Sequence, residues 1–176
     1  SAALDRAGRA VSEARIPALE AEVESARRIL TTPAARLIVN GHGKEQILLL
    51  ADVEALLSSK ALVVDGCRHL ISHDGRAISL ATRPVLFALV RALAEAWPVD
   101  VARDTLVARA FGSKFTDESH RRRLRVEIGR LRRLLRTLAD IKATPRGFAL
   151  TPRRARDVAV LAPPVDDEDA AVLAFL

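Results

Sequence analysis

Eight arginines and a single glutamate occupy "SHRRRLRVEIGRLRRLLR", residues 119–136. The stretch carries +7 while the whole 176-residue chain carries +6, so the basic character is local and the remainder is close to neutral. A guanidinium group is planar, permanently charged, and presents a fork of donors that fits phosphate oxygens and the O6/N7 edge of guanine. The chemistry written into this stretch is anion recognition rather than bond making. Ordinary charged helices interleave acids three or four positions from their bases. With Glu127 as the one acid among eight arginines, self-repulsion along a helix favours an external anion over a merely solvated face.

A helix is what the apolar residues demand. Leu124, Ile128, Leu131, Leu135 and Leu138 recur at four, three, four and three, a single stripe that buries the segment against its neighbours. The same stripe, already needed by the preceding helices, argues against a dimerisation helix. Arg122, Arg125, Gly129, Arg133 and Arg136 fall opposite the stripe, with Arg130 and Arg132 towards its edges. Val126 sits among the arginines, where a solvated helix has no use for it. In a DNA major groove it would meet a thymine methyl, while its neighbours pair with guanine or with phosphates. Gly129 sacrifices about 1 kcal/mol of helix propensity against alanine, which suits close approach to another backbone.

Composition narrows the partner. The chain is 49 % hydrophobic and 28 % charged, as expected for one or two globular domains with a proper core. Aromatics are 3 %, with no tyrosine and one tryptophan, so stacking platforms for single strands are scarce and duplex DNA is the expected anion. Arginine outnumbers lysine 24 to 4, a bias that a GC-rich genome produces unaided. The expected location is the cytoplasm. No run nears the roughly 18 apolar residues of a membrane span, no signal peptide appears, and the lone Cys67 fits a reducing compartment. His42, His69, His73 and His120 have no metal-ligand spacing with Cys67 or with acids, and no nucleophile elbow or phosphate loop is present. The expectation is a non-enzyme without cofactor or metal.

The elements that position the basic helix can be read in order. Residues 1–32 form a helical extension, with apolar residues three and four apart and Pro17 either kinking one helix or opening a second. Two readings stay open for it: packing on the body, or a short coiled coil that pairs two copies. Residues 33–60 hold a hairpin, "ARLIV" and "QILLL" around Asn40-Gly41, and a short helix capped by Asp52. Residues 61–155 then run as short strands ("ALVV", "CRHLI", "RAISL"), a helix after Pro84, a helix over residues 102–111, a loop, the basic helix over 119–138, and a hairpin "IKATPRGFAL". Residues 156–176 read as a linker, with "RRAR" (153–156) just before it, followed by acids and apolar residues that begin another helix. Ending on Ala-Phe-Leu suggests either a fragment of a longer protein or a last helix that packs back on the body.

With that order in place, residues 62–152 resemble the OmpR/PhoB-type winged-helix DNA-binding domain of bacterial regulators. The most specific part is "LRVEIGRLRRLL" (124–135), similar to the family's recognition helix. "DGRAISL" (74–80) resembles the strand closing its N-terminal sheet, and "IKATPRGFAL" (141–150) its wing. The resemblance implies an α+β winged helix-turn-helix, with an N-terminal antiparallel sheet, three helices and a C-terminal wing hairpin, here behind the helical extension. It implies sequence-specific binding of double-stranded DNA in transcription regulation, with Arg125, Val126, Gly129 and Arg130 facing bases. Arg121, Arg122, Arg132, Arg133 and Arg136 would then lie near phosphates, and Thr144 and Arg146 on the wing. The loop over residues 112–118 corresponds to a segment that touches RNA polymerase in some members. The hairpin is about one residue shorter than the family's wing and lacks its paired glycines, and Gly129 replaces what is often a longer polar residue. The first 60 residues do not carry the pattern of a phospho-acceptor domain. The rival expectation is a protein-interaction scaffold that uses the same fold, with the N-terminal helices as a dimer contact.

Overall fold

The computed structural model describes residues 2–39, 44–113 and 117–164. The Asn40-Gly41 turn, residues 114–116 of the loop and the expected C-terminal helix lie outside the described residues. Within them the chain is mixed α+β.

Two helices open it, α1 (Ala2–Ala14) and α2 (Pro17–Thr31). Pro17 stands in the first turn of α2, where its missing N–H costs nothing, and Arg15 turns the chain with φ of 50°. The proline thus opens a second helix that folds back on the first, Arg27 reaching Asp5 at 3.9 Å. No side chain of α2 is fully buried.

Strands β1 (Ala35–Val39) and β2 (Lys44–Leu48) follow, then α3 (Leu50–Leu57). The second strand comes two residues earlier than "QILLL" suggests. Asp52 lies inside the first turn of α3, its carboxylate accepting from the Leu49 N–H at 3.0 Å. Strands β3 (Leu62–Asp65), β4 (Leu70–His73) and β5 (Arg76–Ser79) precede α4 (Pro84–Glu95), and a two-residue strand β6 (Val101–Ala102) leads into α5 (Arg103–Phe111). The basic helix is α6 (Glu118–Leu135), followed by β7 (Ala139–Ala143), β8 (Gly147–Pro152) and β9 (Val158–Ala162).

Strand β9 corrects the linker part of the reading of residues 156–176, over the described residues up to 164. It lies between β1 and β3 in a six-stranded sheet of order β2-β1-β9-β3-β4-β5, antiparallel to β1 and parallel to β3. The expected antiparallel sheet is therefore mixed and larger, and the hairpin of residues 33–60 is built into it. The physical reason is burial on both faces. Leu62, Val64, Val158 and Val160 point into the main core, while Val63 and Leu161 point into a second cluster with Ala35 and Leu48. Helix α4 covers the first face; Val53, Leu56 and Leu57 of α3 cover the second. Strands buried on both faces are near-continuous apolar runs, as "VAVLA" (158–162) is.

The smaller sheet, β6-β8-β7, closes the other side of the core. Gly147 permits it: a Cβ there would run into the carbonyl oxygen of Val101, so only glycine lets β8 lie this close to β6. The apolar stripe is fully sequestered, with Leu124, Ile128, Leu131 and Leu135 of α6 and Leu138 of the turn after it each at most 2 % exposed; the helix ends three residues before the expected 138. Among the described residues no helix is long and apolar enough to cross a membrane.

Candidate nucleic-acid interface

Helix α6 is started by a side chain that the sequence reading left in the loop. The Asp117 carboxylate accepts from the His120 N–H at 2.8 Å and from the His120 ring at 2.7 Å. The backbone bond satisfies an orphan donor of the first turn, and it is foremost in holding the carboxyl below its ordinary pKa. With its stripe buried, the helix has one orientation and a fixed outward face.

Of the residues expected to face bases, Val126 is 51 % exposed, and Gly129 has no atom within 4 Å of where a Cβ would stand. Nothing in the fold therefore requires either residue. Arg125 and Arg130 are also exposed, yet each is paired: Arg125 with Glu118 at 2.6 Å and Arg130 with Glu127 at 2.8 Å. Arg121 adds a pair with Asp104 of α5 at 3.6 Å. The expectation of uncompensated repulsion is corrected to that extent, because Glu118 and Asp104 lie outside the basic stretch and reach it only in the folded chain. Exposed pairs of this kind are worth roughly 0–1 kcal/mol, so an incoming phosphate or base edge competes with them on easy terms.

The expected phosphate set divides. Arg122, Arg133 and Arg136 are exposed and have no hydrogen-bond or ion-pair partner among the described residues. Arg132 is half-buried: its Nε donates to the Ile141 carbonyl at 2.7 Å and its guanidinium lies 5.9 Å from the Phe148 ring centre. One donor of Arg132 thus ties α6 to β7, which its charge alone did not reveal.

The two residues expected on a wing divide as well. The Thr144 hydroxyl donates to Asp100 at 2.6 Å and accepts from the Gly147 N–H at 2.8 Å, so its one donor is spent on Asp100 and its oxygen closes the turn. Arg146 remains 66 % exposed although it meets the Asp100 carboxylate at 3.2 Å. Arg103, which the sequence reading passed over, donates to the Pro145 and Thr144 carbonyls at 2.8 and 3.0 Å and stacks on Phe148 at 5.5 Å. Its place at the start of α5 was legible; its partner 42 residues away was not.

Two grooves flank α6. One, of about 490 Å³, lies towards the β7-β8 hairpin and is lined by Arg103, Glu118, Arg121, Arg125, Arg132 and Phe148, among others. The other, of about 610 Å³, lies towards the start of α4. Among the described residues no cluster of three or more histidine, cysteine or acidic side chains could hold a metal ion. Comparison of the chain with protein-family models, curated proteins and solved structures finds no match.

Proposed function

We propose that this chain binds double-stranded DNA sequence-specifically through a winged-helix domain, as the OmpR/PhoB-type resemblance implies, and acts in bacterial transcription regulation. The support for the winged helix is the run α4-β6-α5-α6-β7-β8 with its small β6-β8-β7 sheet, which puts a basic helix beside a hairpin. The observation that carries the function is the outward face of α6. It holds an exposed valine and a glycine facing open space, ringed by Arg122, Arg133 and Arg136 without counter-charge among the described residues. An apolar contact amid cations suits a major groove, where the thymine methyl lies between two rows of phosphates. In this reading Arg125 and Arg130 leave their carboxylates for base edges, while Arg146 and the partly committed Arg132 meet the backbone. RNA polymerase contact through residues 112–118 and a cytoplasmic location belong to the same proposal.

The test is selection from a random duplex pool at about physiological salt, because salt sets the non-specific background. An enriched motif supports the proposal; retention without enrichment reduces it to a non-specific DNA coat, and no retention overturns it.

A second reading, a protein-interaction module, is favoured by one observation. Among the described residues, seven of the nine exposed large hydrophobics, Ile16, Leu19, Ile29, Leu30, Ile47, Leu49 and Leu50, fall in α2, β2, the start of α3 and the residues beside them. Such clustering marks contact surfaces, and pairing of two copies there is compatible with DNA binding by α6.

A further inference from the structure

The groove towards α4 contains a cation that neither the basic stretch nor the wing supplies. Arg83 immediately precedes α4, exposed, its backbone held by an N–H bond to the Leu80 carbonyl at 2.8 Å and a carbonyl bond from the Phe87 N–H at 3.0 Å. Leu80 is wholly buried and Phe87 is 6 % exposed, so the arginine stands on a rigid base. Across the groove lie Arg130, Arg133 and Glu127. In the free chain Glu127 pairs with Arg130 at 2.8 Å, which leaves Arg83 and Arg133 as the two cations there without a counter-charge among the described residues; with Arg130 turned to a base edge, the two still outweigh the one carboxylate.

Helical geometry sets what this groove faces. At about 100° per residue, Arg130 and Leu134 project from one flank of α6 and Arg121 and Arg125 from the other, with Val126 between them. The two grooves divide the same way: Arg121 and Arg125 line one, Arg130 and Leu134 the other. A helix with its side chains is about 10–12 Å across, and the major groove is about 12 Å wide. A helix that fills it with Val126 inward therefore presents each flank to a different phosphate backbone.

We infer that Arg83, with Arg133, holds backbone phosphates of the strand opposite the one engaged on the wing side, so that α6 is clamped from both flanks. This rests on the DNA-binding reading and extends it to α4, an element outside the basic stretch. Arg83 is a phosphate-positioning residue: it fixes the depth and tilt of α6 without reading a base.

The experiment measures binding of the whole chain to a selected duplex by fluorescence anisotropy across a series of salt concentrations. The wild-type chain is compared with Arg83→Ala and Arg83→Lys, and phosphate-ethylation interference is mapped on each strand. Loss of one phosphate contact lowers the slope of log K against log salt by about 0.9. Arg83→Ala is expected to lose that slope and bind all duplexes more weakly by a similar factor, with Arg83→Lys restoring it. Interference in the wild type is expected on both strands, and in Arg83→Ala is to weaken on one strand only. A wild-type slope in Arg83→Ala, or interference confined to one strand in the wild type, overturns the clamp while leaving DNA binding intact. Failure of the wild-type chain to bind any duplex overturns the DNA reading itself and the clamp with it.

Discussion

The exposed residues of α6 divide into base-reading and phosphate-holding groups under the DNA reading, and the two tasks separate in measurement. Val126 touches nothing that the fold needs, so Val126→Ala is expected to alter the selected motif at one position with little loss of overall affinity. Arg133→Ala, which removes an unpaired cation, is expected to weaken all sequences alike and to reduce the salt slope by about one. Repeating the selection and the salt titration on both variants checks this division; equal losses across sequences for both would remove Val126 from the reading face. Arg125 is held by Glu118 at 2.6 Å. Glu118→Gln weakens that competitor and is expected to tighten binding up to about fivefold, the equivalent of the roughly 1 kcal/mol upper range for an exposed pair. An unchanged dissociation constant would mean that Arg125 stays with Glu118 in the complex.

The helix as an element raises a conflict between stability and use at Gly129. Alanine there meets open space and is expected to raise stability by about 1 kcal/mol. Close approach to a DNA backbone predicts that the same Gly129→Ala variant binds more weakly. Thermal unfolding and anisotropy on one preparation should therefore move in opposite directions; parallel gains would show that nothing presses on this position. The start of α6 is also pH-sensitive. Asp117 has its pKa lowered, chiefly by the His120 N–H, so its contribution is fully present above the ordinary carboxylate range and is lost as pH falls through the lowered folded value. Protection of the His120 amide, its exchange rate set against that of an unstructured chain at the same pH, is expected to fall on acidification in the wild type. In Asp117→Ala it should be low already at neutral pH.

At the scale of the whole molecule, β9 decides cooperativity. It connects a hairpin that precedes the basic domain by many residues to a strand within it, so the two regions share one sheet. Leu161 is 1 % exposed in the second core cluster, and Leu161→Ala is expected to cost about 2–5 kcal/mol. Hydrogen exchange should show β1 and β3 losing protection together. Loss confined to β1 would mean that the sheet is not one cooperative unit. The charge distribution belongs to this scale as well, since acids on α5 and at the start of α6 temper a helix that by itself carries +7 over residues 119–136.

What the sequence determined by itself was everything carried by local periodicity. The stripe of Leu124, Ile128, Leu131 and Leu135, the helix after Pro84, and the exposure of Val126 each follow from spacing along one element, and all three stand in the folded chain. Chain order likewise set the basic helix beside a hairpin. Only the tertiary structure decided which distant groups meet. The run "VAVLA" has no alternation because both of its faces are buried, so it carried no signal that separated a central strand from a linker. The β7-β8 hairpin is held by Asp100 and Arg103, 41–46 residues away from their partners, and Arg83, just before α4, lines one groove with the flank of α6. Side-chain charge is written in the sequence, but whether that charge is spent inside the fold or left for a partner depends on distances that packing alone sets.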